Sequence, residues 1–292
     1  MAAEQGGVVH RGQLRTEGIS RWEVRTEIAS GRWARAGRHT ICVGAREPSG
    51  AGLWWQAIWE SGSGAALLDG ASCLVASEMT GFEPDVIDIS VPVKARTQEV
   101  SGVQLRRRRR LTPTRRGGVP RTEVEVAMIR AAQLATSDRQ AALLLCLPVQ
   151  QRLTTPVRLV AEWAHAAWCP RNPLLEQLIR DIADGAHSLG ELDFAGLCRE
   201  RDLPDPIRQQ LVRGPKGRLY LDVEFACGLV VEIDGAQHCA GLQPLDDALR
   251  ANTVSLRNRL VLRIPLVGLR LCPDAFLAQV AEAHRQRLAQ PA

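Results

Sequence analysis

A β-hairpin signal in the C-terminal third of the chain constrains the fold more than any other feature. Two β-rich runs, Leu219–Phe225 and Leu229–Asp234, flank the loop Ala226-Cys227-Gly228. A three-residue loop that ends in glycine matches a type I turn closed by a residue in the left-handed region. We therefore expect Phe225 to face Leu229. This fixes the register of the other pairs, because side chains alternate between the two faces of a strand.

This register brings carboxylates together. Asp222 faces Glu232, and two negative charges directly opposite each other on a sheet repel. A hard cation such as Mg²⁺ would remove that penalty, because it prefers oxygen ligands. Asp234 lies on the same face of its strand as Glu232, and we predict Asp222, Glu232 and Asp234 as metal ligands. The alternative is that these acids belong to a solvated sheet face.

The C-terminal region also resembles a known family. Residues 186 to 292 resemble the uncharacterised bacterial domain related to very-short-patch-repair endonucleases, within the PD-(D/E)XK, or restriction-endonuclease-like, superfamily. The matching segments are "SLGE" opening a helix at 188–191, Asp222, "VVEIDGAQH", a helix near 245–258, the strand "RLVLRIPL" and a closing helix from Pro273. The resemblance implies a small mixed sheet flanked by helices.

The same resemblance implies roles for individual residues. Asp222 and Glu232 would bind Mg²⁺ or Mn²⁺. Glu191 would be a further ligand or would contact the ligands, and His238 would be the general acid or base, which suits its ordinary pKa. A bound metal would lower the pKa of a water molecule and polarise the scissile phosphate. Two alternatives remain, because Ser188 and Glu191 are spaced as a capping box and His238 can be a hydrogen-bonded turn residue.

One position departs from the superfamily pattern. The lysine that the superfamily places on the second hairpin strand is replaced by Asp234, and the two lysines of the chain, Lys94 and Lys216, lie elsewhere. We expect Gln237 or His238 to take over its role. The missing lysine favours an alternative in which the nuclease fold serves only to bind DNA or a partner protein.

The first 47 residues predict a winged helix-turn-helix. The stretch "VVHRGQLRTEGIS" suits one helix followed by a turn at Gly18. Ser20 and Glu23 are spaced as the capping box of a second helix, which runs over 21–30 and ends at Gly31. The segment "RWARAGRHTICVG" predicts two short strands with a turn between them, the wing.

The second helix has two predicted faces. Trp22, Val24 and Ile28 lie near one another at helical spacing and are predicted to face inward. Arg21 and Arg25 are four residues apart and are predicted to point outward along one stripe.

A recognition helix in the major groove, with a basic wing on phosphate, is the docking that this pattern predicts. We therefore predict Arg21, Arg25, Arg35 and Arg38 as DNA-binding residues. The alternative is a small helical bundle with ordinary surface arginines.

The N-terminal stretch "HRGQLRTEGISRWEVRTEIASGRWARAGRHTICVG" is similar to the N-terminal domain of the AbiEi-type abortive-infection antitoxins. Those proteins bind DNA and repress their own operon. In actinobacteria this domain is often joined to the endonuclease-like domain, and the whole chain resembles that joined layout. The resemblance makes a cognate toxin a possible partner, although the middle of the chain does not match an AbiEi antitoxin.

Composition narrows the class of protein. The chain has 292 residues, 45% hydrophobic and 24% charged, as expected of a globular multidomain protein. It has no run of about 18 apolar residues, and its start "MAAEQGG" lacks the basic and apolar parts of a signal peptide. The eight cysteines include no C-x-x-C pair, so reduced thiols are expected. We predict a cytoplasmic protein with no membrane contact.

The middle of the chain connects the two ends. Residues 48–185 are predicted to be mainly helical with a small sheet, and this region is where a homodimer would form. The arginine run Arg106–Arg110 is either a solvated block or a patch that tracks phosphates. The predicted domains are thus 1–47, 48–185 and 186–292, in an α+β or α/β multidomain fold.

Together these patterns predict a DNA-binding protein with a metal-dependent endonuclease-like domain, working in toxin–antitoxin or phage-defence biology. The reaction would be Mg²⁺-dependent hydrolysis of a DNA phosphodiester. The alternative is a repressor or antitoxin without catalysis, in which the nuclease fold is a binding module.

Overall fold

The computed structural model describes residues 1–44, 47–114, 117–190, 192–213, 219–234, 248–249, 252 and 261–289, without the side chains of 184–190, 212–213 and 219–220. Over these residues the fold is α+β, with α-helices and three small sheets. The chain divides into two compact units, Met1–Ala131 and Ala132–Ala292. The boundaries near 47 and 185 stay predictions.

The N-terminal part of the first unit consists of two helices and a three-stranded sheet. Its elements are β1 (Val8–His10), α1 (Arg11–Thr16), α2 (Arg21–Ala29), β2 (Trp33–Arg35) and β3 (Thr40–Val43). The strands are antiparallel in the order β1-β3-β2. Val9, Leu14, Val24 and Ile41 form the buried core between the helices and the sheet. The predicted helix pair and wing hairpin are therefore confirmed as elements.

Two predictions in this part were wrong. Val8 to His10 form a strand and not the start of a helix, because Val8 and Val9 pair with Cys42 and Ile41 of β3. Trp22 does not face inward, since 73% of its surface is exposed while Val24 is buried. Two residues along a helix correspond to a rotation of about 200°, so Trp22 and Val24 lie on opposite sides.

The rest of the first unit contains a second small sheet. Its elements are α3 (Ala51–Glu60), β4 (Leu67–Leu68), α4 (Gly70–Ala76), β5 (Ile87–Pro92), β6 (Val103–Arg108) and α5 (Val124–Leu134), which crosses the unit boundary. β5 pairs with β6 in parallel and with β4 in antiparallel fashion. The two strands predicted around 85–110 are confirmed.

The arginine run begins inside β6, and its first two side chains contact other parts of the unit. Arg106 lies 3.6 Å from a carboxylate oxygen of Asp88. Arg107, on the other face of the strand, donates to the carbonyl oxygens of Val93 and Ala95 at 2.9 and 2.7 Å. These contacts fix the segment between the two strands, so this part of the run is not a plain solvated block.

The second unit carries the C-terminal sheet. Its helices are α6 (Asp138–Gln150), α7 (Pro156–Trp163), α8 (Asn172–Gly190), α9 (Phe194–Arg199), α10 (Leu266–Leu271) and α11 (Pro273–Leu288). Its strands are β7 (Arg208–Arg213), β8 (Leu219–Glu224), β9 (Val230–Asp234) and β10 (Val261–Pro265), in the order β10-β9-β8-β7. β10 is parallel to β9 and the other pairs are antiparallel. The predicted small mixed sheet with flanking helices is confirmed.

One face of this sheet is apolar and the other polar. Leu221, Val223, Val231, Ile233 and Ile264 are buried in a cluster with apolar residues of α9, α10 and α11. The alternation of side chains therefore directs the acids of β8 and β9 away from the core.

The predicted start of a helix at Ser188 was wrong. α8 runs through this position and ends at Gly190. Its buried residues Leu175, Leu178, Ile179 and Ile182 follow helical spacing, and no proline interrupts the helix before 190. Glu191 lies outside the described residues, and so does most of the helix predicted near 245–258, although 248, 249 and 252 are helical.

Candidate nucleic-acid interface and metal site

A cleft of about 830 Å³ opens beside α2, and arginines dominate its lining. We call it the arginine cleft. It is lined by Arg11, Arg15, Arg21, Arg25, Arg35 and Arg38, together with Ile19, Ser20, Val24, Ile28 and Ala29. The structure thus brings the four arginines that the sequence predicted into one cleft. No carboxylate is among these lining residues.

Two of the cleft arginines were missed in the sequence. Arg11 and Arg15 lie four residues apart on α1, so they share one stripe of that helix. This spacing was visible, but the sequence did not show that the two arginines share a cleft with those of α2. The Nε atom of Arg11 donates to the carbonyl oxygen of Arg38 at 3.0 Å. Arg11 therefore ties the first helix to the wing.

The start of α2 is held by a reciprocal capping box. The backbone N–H of Ser20 donates to Oε2 of Glu23 at 2.7 Å, and the N–H of Glu23 donates to the Ser20 hydroxyl at 3.3 Å. The hydrogen bonds from Ser20 lower the pKa of Glu23. The first turn of α2 is therefore well defined, as the sequence predicted.

Glu60, at the end of α3, holds the turn of the wing. Its carboxylate accepts hydrogen bonds from the N–H groups of Arg38 and His39 at 2.9 and 2.8 Å, and from the Thr40 hydroxyl at 2.7 Å. Burial alone would raise the pKa of Glu60, but these hydrogen bonds lower it overall. A Cβ atom at Gly37 would lie 2.4 Å from Glu60 Cδ, so a larger residue there would displace the carboxylate from the turn.

His10 joins β1 to α1. Its Nδ1 accepts from the N–H of Gly12 at 3.0 Å, which caps the helix. Its ring stacks on His39 and lies beside Trp59, with ring centroids 5.8 and 5.6 Å away. Burial and the neighbouring His39 lower the pKa of His10. The neutral ring, which keeps Nδ1 as an acceptor, is therefore the favoured form in the folded state.

The acidic hairpin has the predicted register. Asp222 pairs with Glu232 and Glu224 with Val230. The N–H of Phe225 donates to the carbonyl oxygen of Leu229 at 2.9 Å. Gly228 has a φ of 75°, the left-handed conformation expected of the last loop residue. The two carboxylates thus lie directly opposite each other.

A polar row crosses the whole sheet at this level. Gln210 of β7 pairs with Asp222, and Glu232 pairs with Arg263 of β10. We call these four residues the polar row. The Nε atom of Arg263 donates to Oε2 of Glu232 at 2.8 Å. Alternation around Leu262 and Ile264 places Arg263 on the polar face, but its pairing with Glu232 comes from the parallel contact of strands distant in sequence.

The carboxylate of Asp222 has one unmatched oxygen. Its Oδ1 is buried and has no hydrogen-bond partner among the described residues. Burial raises the pKa of Asp222, and the opposing Glu232 raises it further, while Arg208 lowers it. A buried carboxylate oxygen without a donor is costly unless a cation or a proton satisfies it. The unmatched oxygen of Asp222, opposite the carboxylate of Glu232, fits Mg²⁺, which binds one or two protein carboxylates and keeps several waters.

Asn252 secures the edge of the sheet next to the polar row. Only 2% of its surface is exposed. Its Oδ1 accepts from the N–H of Arg263 at 2.9 Å, and its Nδ2 donates to the carbonyl oxygen of Arg263 at 2.9 Å. The side-chain amide thus takes the place of a neighbouring strand at one residue of the edge strand β10. Nothing in the local sequence indicated this role.

Of the remaining predicted site residues, the structure describes only Asp234. Asp234 is half-buried on β9, on the same face as Glu232. Glu191, Gln237 and His238 lie outside the described residues. Within the described part of the chain, no three His, Cys, Asp or Glu side chains converge on one metal position. The acidic site that can be described is therefore the pair Asp222 and Glu232.

Known proteins add little to this picture. No protein-family model matches the chain, and no curated protein matches it. Among solved structures, it is similar to the crystal structure of the RV2827C protein from Mycobacterium tuberculosis. The identity is 17%, the TM-score is 0.38, and the match covers 73% of this chain and 86% of that chain. A likeness of this degree supports no conclusion. None of the helices that the structure describes combines the length and apolar character of a membrane span.

Proposed function

We propose that this chain binds duplex DNA through the arginine cleft. The observation that carries the proposal is the convergence of six arginines on one cleft whose lining contains no carboxylate. Each guanidinium can give two parallel hydrogen bonds to a phosphate. Phosphate contacts supply most of the affinity of a DNA-binding protein and set its register on the duplex.

The arrangement of the cleft supports a specific docking. α2 presents Arg21 from its capped first turn and Arg25 from the turn that follows, and the wing presents Arg35 and Arg38. We propose that α2 enters the major groove while the wing contacts the flanking backbone, as in other helix-turn-helix proteins. Glu60 keeps the wing turn in place and so acts as a positioning residue.

The biological setting is proposed from the resemblances. The N-terminal part is similar to AbiEi-type antitoxins, which repress their own operon, and the C-terminal part is similar to an endonuclease-like domain. We propose a cytoplasmic protein of a toxin–antitoxin or phage-defence system, with a cognate toxin as a possible partner and a homodimer as a possible state.

A gel-shift titration on duplex DNA at several salt concentrations tests the binding. The double variant Arg21→Ala/Arg35→Ala removes one cation from α2 and one from the wing. We expect it to bind about tenfold to a hundredfold more weakly, with a salt slope lower by about two. Arg285→Ala, an exposed arginine of α11, is the matched control. The proposal fails if the wild type does not bind, or if the double variant binds as well as the control.

A second function is favoured by the unmatched oxygen of Asp222. We propose that Asp222 and Glu232 hold Mg²⁺ or Mn²⁺ and that the second unit hydrolyses a DNA phosphodiester. The metal would supply charge stabilisation and an activated water. The Nε atom of Arg263 already donates to Glu232. We propose that the two terminal nitrogens of the guanidinium contact a phosphate oxygen. Asp234, together with Glu191, Gln237 and His238, remains proposed as part of this site.

Cleavage of plasmid and oligonucleotide DNA with Mg²⁺ or Mn²⁺ tests the second function. Glu232→Ala is the variant, and the same preparations are used in gel shifts. Cleavage that disappears in the variant while binding persists would support catalysis at the hairpin. Binding without cleavage in both proteins would instead support the alternative, a repressor in which the nuclease fold is a binding module.

A further inference from the structure

Trp22 is a largely exposed aromatic residue of α2. It lies in the first turn of α2, and 73% of its surface is exposed. A tryptophan offers up to about 250 Å² of largely apolar surface. The core beneath α2 is formed without it, because Val24 and Ile28 face the sheet. The position of Trp22 therefore does not serve the packing of the helix.

The ring of Trp22 is nevertheless held in place. The guanidinium of Arg25 lies over it, with its central carbon 5.4 Å from the ring centroid. This is the distance of a cation–π contact. The capping box of Ser20 and Glu23 fixes the turn that carries Trp22. An exposed aromatic side chain is thus presented beside Arg25, which lines the arginine cleft.

The surroundings of the ring indicate what it meets. Arg21 and Arg25, on either side of it in sequence, both line the arginine cleft. A partner that covers this face must therefore combine negative charge with an apolar group. The major groove of duplex DNA does so, because phosphates flank it and the C5-methyl group of thymine is the apolar group on its base edges.

We infer that Trp22 is a specificity-determining residue that packs against a thymine methyl group in the major groove. This inference rests on the proposed DNA binding. Arg25 acts as its positioning residue, and α2 enters the groove with its first turn, the part of a recognition helix that contacts base edges. Trp22 thus adds sequence preference to a surface whose arginines bind any sequence.

The test removes the methyl group of single thymines from the DNA. A preferred site is selected with the full-length wild type from duplexes with a randomised centre. Each thymine of that site is then replaced in turn by deoxyuracil, which lacks only the methyl group. We expect one replacement to weaken wild-type binding about fourfold, the effect of removing one buried methyl group, about 0.8 kcal/mol.

Three variants complete the experiment. Trp22→Ala should bind the thymine duplex more weakly and should no longer distinguish it from the deoxyuracil duplex. Trp22→Phe should keep part of the discrimination, because a ring remains. Trp168→Ala removes a tryptophan of the second unit that is 78% exposed and should behave as the wild type. Equal thermal unfolding of all four proteins excludes a folding defect.

The outcomes separate the inference from the function on which it rests. If the wild type binds duplex DNA but no deoxyuracil replacement affects it, or if Trp22→Ala discriminates as before, the role of Trp22 is overturned and DNA binding stands. If Trp22→Ala instead converts a wild-type dimer to a monomer without changing discrimination, the face belongs to a second copy of the chain. If the wild type does not bind DNA at all, both proposals fail.

Discussion

The arginine cleft and the polar row use charge in opposite ways. The cleft gathers six arginines without a carboxylate in its lining, which suits a long polyanion. The polar row sets two carboxylates against each other and flanks them with Gln210 and Arg263, which suits one small cation. Under the proposed functions, a surface for many phosphates gathers charges of one sign, whereas a metal site holds a few groups in fixed register.

Four predictions test this contrast, beginning with the largest expected effect. The first concerns the polar row. Asn252→Ala should lower the free energy of unfolding of the second unit by about 2 kcal/mol, because it removes the side-chain hydrogen bonds to the backbone N–H and carbonyl groups of Arg263. Urea unfolding measures this change. Gln286→Ala, which loses an amide hydrogen bond to Glu282 on α11, is the control and should change little. An equal effect in both variants would contradict the role of Asn252.

The second prediction concerns the wing. Glu60→Ala removes three hydrogen bonds to the turn and should destabilise the first unit by about 1–2 kcal/mol. DNA binding should weaken about tenfold as the wing arginines lose their position. Glu83→Ala, an exposed carboxylate in the same unit, is the control in gel shift and thermal unfolding. Unchanged DNA affinity in Glu60→Ala would show that the position of the wing does not matter for DNA binding.

The third prediction concerns the acid pair. Asp222→Asn keeps the shape of the side chain and removes the repulsion from Glu232. Since burial and Glu232 raise the pKa of Asp222, the neutral variant should be more stable without metal, by about 0.5 kcal/mol for a partly solvated pair.

The same variant should lose the rise in melting temperature that Mg²⁺ or Mn²⁺ gives the wild type, because binding to the native state is what stabilises it. Thermal unfolding with and without metal measures both effects. A variant that is less stable than the wild type without metal would contradict the repulsion, and a variant that metal stabilises as much as the wild type would show that Asp222 is not a ligand.

The fourth prediction is a pH effect on the first unit. The pKa of His10 is lowered by burial and by His39, while Glu60 opposes this. The folded state therefore prefers the neutral ring. Its contribution to stability is present above the unfolded pKa, about 6.5, and is lost as pH falls through the lower folded pKa.

The melting temperature of the first unit, measured at pH values from about 8 to about 5, reports this loss. We expect it to fall by a few degrees at most. His10→Asn keeps a side-chain acceptor at the cap but does not titrate, so it should show a weaker dependence. An identical pH dependence in the two proteins would exclude His10 as the cause.

Much of the local structure could be predicted from the sequence. The loop that ends at Gly228 determined the pairing of Asp222 with Glu232, because turn length fixes register in a hairpin. Ser20 and Glu23 likewise identified the start of α2. The faces of this helix were harder to predict. Trp22 was assigned to the inner face because it is hydrophobic, although the rotation per residue along a helix places it opposite Val24.

Other features depended on segments far apart in the chain. Val8 and Val9 became a strand because β3 was available to pair with them, which no local pattern shows. Arg106 and Arg107 were part of a charge run in sequence, but the contacts of β6 with Asp88 and the 93–97 segment gave them structural roles.

The sequence by itself determined the hairpin, the capped second helix and the presence of both acids and arginines, since these follow from turn geometry, helix capping and the alternation of side chains. Only the tertiary structure decided which charges meet. It placed Arg11 and Arg15 in the same cleft as the α2 and wing arginines, and it set Arg263 beside Glu232 and Asn252 against the backbone of Arg263. The physical reason is that such contacts join elements tens of residues apart, and packing of the whole unit, not local preference, sets their distances.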